Sequence, residues 1–273
     1  MKKRKLLSQR HPILYFIAVW ARRIKRQAEW KLDSKKYASQ FSSEKLPFRI
    51  KKHQSVLLKK LGESDMQLQI NKVTNLNIAA KKINNILIRP GETFSYCKTV
   101  GLPTKRKGYL LGMELSFDEA KAGIGGGLCQ ISNLIHWLVL HSSLTVTERH
   151  HHSFDPFPDE GRVLPFGSGA TIFYNYLDYQ FTNNTKDTYQ LNLWFSEKCL
   201  EGELRIDKEL DIAYHVVEKE HKFLKIENVF YRKNEIWREK ILKFQGGKVI
   251  DEELITKNFA RVTYTPENYE EME

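Results

Sequence analysis

The sequence predicts an α+β fold: N-terminal helices, a Gly-rich loop leading into a central helix, then mainly antiparallel β-strands. Three observations predict it. Apolar residues recur at helical spacing within the first half of the chain. A run of glycines at Gly123–Gly127 opens onto the clearest amphipathic segment. After Asn183-Asn184, short alternating segments separated by turn residues continue to the end. Helices first and strands later is the α+β order, not the alternation of a parallel sheet.

Residues 13–60 read as helical, with breaks near Pro47. Residues 66–88 read as a helix on Leu68, Ile70, Val73, Leu76, Ile78 and Ala79, stopped by Arg89-Pro90-Gly91. An extended segment is expected over 92–100, and short strands or turns over 108–117. The central helix is expected from about Leu128 to His141. Its stripe is Ile131, Leu134, Ile135, Leu138 and Val139, one face of an amphipathic helix. Residues 144–152 and 170–181 alternate like strands. Further strands are expected at 189–195, 203–207, 212–217, 223–231, 235–244, 249–254 and 260–264. Lys233-Asn234 and Gly246-Gly247 are the expected turns. The expected organisation is a basic arm over 1–62, a central domain over 63–196, and a β-rich extension over 197–273 packing on the same body.

The chain has 273 residues, 41% hydrophobic and 28% charged, which excludes a wholly disordered or collagen-like chain. Three cysteines cannot form a disulfide framework. The net charge of +11 is concentrated at the start. Residues 1–60 hold 18 Lys and Arg against Glu29, Asp33 and Glu44. Such arms contact anionic membrane surfaces or nucleic acid, or serve solubility alone. Pro12–Ala21 is an apolar run of ten between basic flanks, too short to span a bilayer, which takes about 20 residues. Arg22-Arg23 follow directly, where a signal peptide has a small-residue cleavage site. Two readings stand: an interfacial anchor on an anionic membrane, or an ordinary helix with a solvated basic face. The arm is rich in bulky apolar residues and no nucleic-acid motif is present, so no nucleic-acid partner is expected. A membrane-associated location is expected, the cytoplasmic face favoured because no clear signal peptide or spanning helix is seen.

Cys129 falls on the first turn of the central helix, where free amides carry partial positive charge and favour a thiolate. Gly126 and Gly127 allow backbone amides to approach a reacting carbonyl, as an oxyanion hole requires. Cys129, Ser132, Asn133 and His136 form a polar stripe roughly opposite the apolar one, so Cys129 is expected to face a cleft. His136 lies two turns on, roughly 10 Å away, and reads as a groove or surface residue. On an extended strand His150 and His152 share a face and His151 takes the other. One of the pair, preferentially His152, is expected to take the thiol proton. The residues alone leave other readings open: a structural Cys after a Gly turn, or a metal site of Cys129, His150 and His152 without an evident fourth ligand. No metal and no cofactor are expected.

Several blocks together resemble the VanW family: Arg89-Pro90-Gly91-Glu92-Thr93-Phe94-Ser95, Gly108-Tyr109, Gly123 to Ser132, Glu148-Arg149-His150-His151-His152-Ser153, and Gly169-Ala170-Thr171 with Asp178 and Asn183-Asn184. They cover about residues 70–195. The resemblance implies a cysteine L,D-transpeptidase-like domain, which forms a thioester with a peptidoglycan stem peptide, releases D-Ala and passes the acyl group to an amine. Carried onto this chain, it makes Cys129 the nucleophile. Catalytic candidates are Cys129, His152 and His150; oxyanion and substrate-binding candidates are Gly126, Gly127, Leu128, Gln130, Ser132 and Arg149. The implied partner is a stem peptide or its lipid-linked precursor, with a link to glycopeptide resistance. The alternative is a non-catalytic precursor-binding or membrane-surface protein. The chain has His151 where the family usually has Asn, and Ser168-Gly169 where it often has Arg-Asp.

Overall fold

The computed structural model describes residues 11–58, 66–116, 119–151, 154–155 and 163–272. Helix α1 spans Pro12–Leu32, capped by the His11 side chain, which accepts from the Ile13 amide at 3.2 Å. The chain then contributes three strands: β1 (Lys36–Tyr37), β2 (Gln40–Phe41) and β3 (Phe48–Val56). Helix α2 covers Met66–Ile83, followed by β4 (Ile86–Ile88), β5 (Glu92–Ser95) and the short α3 (Tyr96–Val100). A hairpin, β6 (Leu111–Ser116) and β7 (Glu119–Ile124), precedes α4 (Cys129–Leu140). Then come β8 (Thr145–Glu148), β9 (Phe154–Asp155), β10 (Gln180–Thr182), β11 (Tyr189–Phe195) and β12 (Cys199–Ile206). The chain closes with β13 (Ile212–Ile226), β14 (Val229–Leu242), β15 (Lys248–Val262) and β16 (Glu270–Met272).

These elements make the α+β architecture. Strands β1-β5-β10-β8 form one sheet, β2-β4-β11-β12-β3 a second, and β16-β13-β14-β15-β9 a third. Helix α4 packs on β3 and β12, and α2 on β11. The main core lies between these helices and the first two sheets. It holds the whole α4 stripe, together with Leu76, Ile83, Phe94, Phe181, Tyr189 and Leu204. Phe94 and Phe181 stack across β5 and β10 with ring centres 5.0 Å apart.

The structure corrects several expectations. Residues 36–37, 40–41 and 48–56 are strands joined by loops, not helix. In β3, Phe48–Val56 pairs along the whole of β12, and its lysines sit on an outer edge where charge discourages further pairing. Residues 96–100 turn helical because Ser95 Oγ caps the Lys98 amide at 3.2 Å. Residues 170–179 form a loop, not a strand, carrying one bridge between Phe173 and Leu177. The first long hairpin turns at Glu227-Asn228, whose φ values of 47° and 62° suit a tight hairpin turn. Lys233-Asn234, the expected turn, sits inside β14, where buried Asn234 donates to the Phe166 carbonyl at 2.8 Å. Gly246-Gly247 does turn the chain, at φ 63° and 72°.

Candidate functional site

The glycine turn seats the start of α4 against α2 and the β6–β7 hairpin. Asn75 of α2 braces it, donating to the Leu110 carbonyl at 3.1 Å and the Gly126 carbonyl at 3.0 Å while accepting from the Leu110 amide. A Cβ on Gly126 would lie 2.2 Å from the Gly112 backbone, so only glycine fits this crossing. Gly127 has φ +90°, and a Cβ there would strike the Lys72 side chain.

The first turn of α4 divides its amides. Gly126 N donates to Gly123 O, and Gln130 and Ile131 donate to Gly127 O and Leu128 O, each at 3.1 Å. Leu128 provides no side-chain cap. Among the described residues, the amides of Gly127, Leu128 and Cys129 have no acceptor. These three consecutive N–H groups flank the thiol. Gly126 and Gln130, expected to contribute to the anion-binding turn, have their amides committed.

The Cys129 thiol is half-buried and donates to Ile172 O at 3.7 Å. Burial pushes its pKa up, and the Glu114 carboxylate adds to the rise. Burial thus works against the helix-start amides, which favour the thiolate. Glu114, on β6, was invisible as a site residue in sequence. Its own carboxyl is raised by burial.

A strap over residues 167–172 crosses α4 and joins most of the expected site residues. Ser132 Oγ donates to Ala170 O at 2.6 Å, and Asn133 Oδ1 accepts from Ala170 N at 2.7 Å. Arg149 donates to the carbonyls of Gly169 (2.9 Å) and Gly167. The Thr171 amide donates to His150 O at 2.7 Å, one residue before the carbonyl that holds Cys129. The polar stripe of α4 is therefore covered, not open. Ser132 is fully buried, and His136, expected in a groove or at the surface, is 1% exposed with Nδ1 3.1 Å from the Tyr179 hydroxyl. Burial drives the His136 pKa well down, so the ring is neutral. Gln130 ties α4 to β3 by donating to Ser55 Oγ and Val56 O at 2.9 Å.

Strand β8 ends at Glu148, so the alternation expected through 152 stops before the histidines. Arg149 turns in to the strap and ends the pleat. His150 Nε2 lies 3.1 Å from Glu148 Oε1. His152 lies outside the described residues. No contact between His150 and Cys129 is present; the strap links them through adjacent backbone groups.

Glu148 is the hub that sequence reasoning missed, although it stands two residues before His150. Arg26 of α1 donates to both its oxygens at 2.6 and 2.7 Å, the Asp178 amide to Oε1 at 3.0 Å, and Gln180 Nε2 to Oε2 at 3.2 Å. Burial alone would raise this carboxyl. Hydrogen bonds from His150, Arg26 and Asp178 outweigh it and hold the pKa down at about 2. Asp178 is scaffold: fully buried, it accepts from Ser95 Oγ at 2.5 Å and from the Cys97 amide at 2.8 Å. Beyond β8 lies a cleft of about 300 Å³ whose walls include His136, Leu144, Glu148, Arg149 and Arg238, but not Cys129. Among the described residues, no group of three or more His, Cys, Asp and Glu is arranged to hold a metal ion.

Comparison with known proteins places this geometry. Residues 71–205 match the family model described as VanW like protein. The vancomycin B-type resistance protein VanW of Enterococcus faecalis (strain ATCC 700802 / V583) is 30% identical over 261 residues, covering 96% of this chain and 94% of that protein. The uncharacterized protein YoaR of Bacillus subtilis (strain 168) is 33% identical over 112 residues, covering 40% of this chain and 34% of that one. No solved structure matches. The identity extends from end to end and the matched span carries the glycine turn, α4, the strap and Glu148, so the chain belongs to the VanW family.

Proposed function

We propose that this chain forms a thioester between Cys129 and the acyl group of a peptidoglycan stem peptide and passes that group to an amine. The observation that carries the reading is the set of three unclaimed amides, of Gly127, Leu128 and Cys129, beside a thiol at the start of α4. Donors so placed stabilise the negative charge that develops on a carbonyl oxygen under attack. The vancomycin resistance in the name of the Enterococcus faecalis relative supports cell-wall peptides as the substrate class.

In this reading one of His150, which Glu148 orients, and His152 takes the Sγ proton as the sulfur attacks the carbonyl carbon. The C–N bond to the terminal D-Ala breaks, and the imidazolium proton goes to its leaving amine. An acceptor amine then attacks the thioester, the C–S bond breaks, and its proton returns to sulfur through the same ring. Water in place of the amine gives hydrolysis. No oxidant or metal is needed. Because the resting thiol is protonated, the base matters: general-base assistance contributes typically about 10²–10⁴-fold.

Mass spectrometry after incubation with a stem tetrapeptide tests the proposal. The expected product is an acyl adduct on Cys129, absent from Cys129→Ala. A second reading has its own support. The Cys129 hydrogen bond to Ile172 O and the raised thiol pKa suit a non-catalytic member that binds stem peptides or lipid-linked precursors without reacting. Tetrapeptide binding without any adduct would favour it.

A further inference from the structure

Among the described residues, one face of α1 is left largely uncovered. The helix meets the body through Tyr15, Arg23, Arg26 and Trp30, all half-buried. Arg23 donates to Tyr174 O at 3.1 Å, and Arg26 donates to Asn175 O and grips Glu148. A neighbouring face presents Ile13 (62% exposed), Phe16 (62%), Ile17 (55%), Trp20 (44%) and Ile24 (65%). Their spacing places them on one stripe along about 17 Å of helix. Water alone is a poor partner for such a stripe.

The charge around the stripe identifies what covers it. Lys25 and Lys31 are exposed on the same helix, whereas Arg22 stacks over the Tyr176 ring of the body at 4.1 Å. The preceding sequence adds Lys2, Lys3, Arg4, Lys5 and Arg10. An apolar, aromatic-bearing stripe flanked by cations matches an anionic bilayer surface, where the ring and aliphatic groups enter the acyl boundary and the cations meet phosphates. Among the described residues, no helix is long and apolar enough to cross a membrane. We propose that α1 lies flat on an anionic bilayer, its Ile13–Ile24 stripe inserted, with the body held above by Arg23 and Arg26. This assignment is independent of the Cys129 chemistry.

Vesicle flotation of the full chain tests it, using phosphatidylcholine with phosphatidylglycerol against phosphatidylcholine alone. The full chain is expected to float with the anionic vesicles, and to lose most of that binding on neutral vesicles or in high salt. Phe16→Glu with Trp20→Glu removes two inserted rings and adds repelling charge, so partitioning falls by about 100-fold. Both positions are exposed, so the thermal midpoint stays at the parent value. Lys25→Gln with Lys31→Gln leaves the stripe intact and weakens binding by about 10–30-fold. Failure of the parent to bind anionic vesicles overturns the proposal, as does unchanged binding by both double variants. A parent dimer in sedimentation equilibrium that the Phe16/Trp20 variant dissociates, without vesicle binding, would assign the stripe to a second copy and also overturn it.

Discussion

Glu148→Gln tests whether one carboxylate organises the joint between α1, β8 and β10. The parent side chain accepts from five donors: two on Arg26, and one each from His150, the Asp178 amide and Gln180. Glutamine keeps the shape but has one acceptor oxygen and no charge, so Arg26 loses its bidentate partner. The magnitude follows from the carboxyl's fall from its ordinary 4.5 to about 2 on folding. At 1.36 kcal/mol per pH unit, that is about 3 kcal/mol of stability at pH 7. For a chain of 273 residues this corresponds to a midpoint shift of about 5 °C. The sign is fixed by the direction of the shift. A carboxyl with a depressed folded pKa stabilises above its unfolded pKa, and that stability drains away as pH falls from about 4.5 towards 2. Thermal and urea unfolding of parent and variant at stepped pH reads both quantities. A variant within 1 °C of the parent at pH 7, or a gap that stays constant down to the acid limit, would refute the idea that the ionised hub holds this joint.

Three further outcomes follow from the site. Cys129→Ala should change stability by about 1 kcal/mol or less, since thiol to methyl is a small volume change at a half-buried position; urea unfolding reads it, and outright unfolding would mark the thiol as structural. Iodoacetamide alkylation of Cys129 against pH should slow in one of His150→Ala and His152→Ala and stay near the parent in His151→Ala; three profiles that superimpose on the parent would refute the Cys–His pairing. Gly126→Ala should cost about 3 kcal/mol or more, because the new methyl lands 2.2 Å from the Gly112 backbone. Circular dichroism melts check that, and a neutral effect would mean the turn and β6 slide apart freely.

Much of the body was legible because burial and periodicity coincide there. The α4 stripe at Ile131, Leu134, Ile135, Leu138 and Val139 is wholly core, and Tyr189–Phe195 is a strand with the expected bounds. The basic segment before residue 60 misled because lysines on β3 belong to an exposed sheet edge, and their charge hid the strand. The polar stripe of α4 was read correctly as a stripe and wrongly as open. Ser132 and His136 are covered by the 167–172 strap and Tyr179, partners far away in sequence that no local pattern announces. The histidines were read as pleated because polarity alternates around them, yet Arg149 leaves the strand to reach Gly167 and Gly169. Glu148 carried a visible signal, its position two before His150, but its partner Arg26 sits in another element altogether.

The pairing of β3 with β12 dictates an order of assembly. Phe48 meets Ile206 and Val56 meets Cys199, so the outer strand of the second sheet waits for a partner about 150 residues later. A ribosome that has released only the first 190 residues holds the strand without its mate, its apolar side chains exposed to neighbouring chains. Folding of the body is thus a late event with a long loop to close. A fragment restricted to 71–205 would keep β12 but lack β3, leaving an open edge that invites intermolecular pairing. Expression fragments that begin before Phe48 and extend past Ile206 retain both members of the pair and avoid that fate.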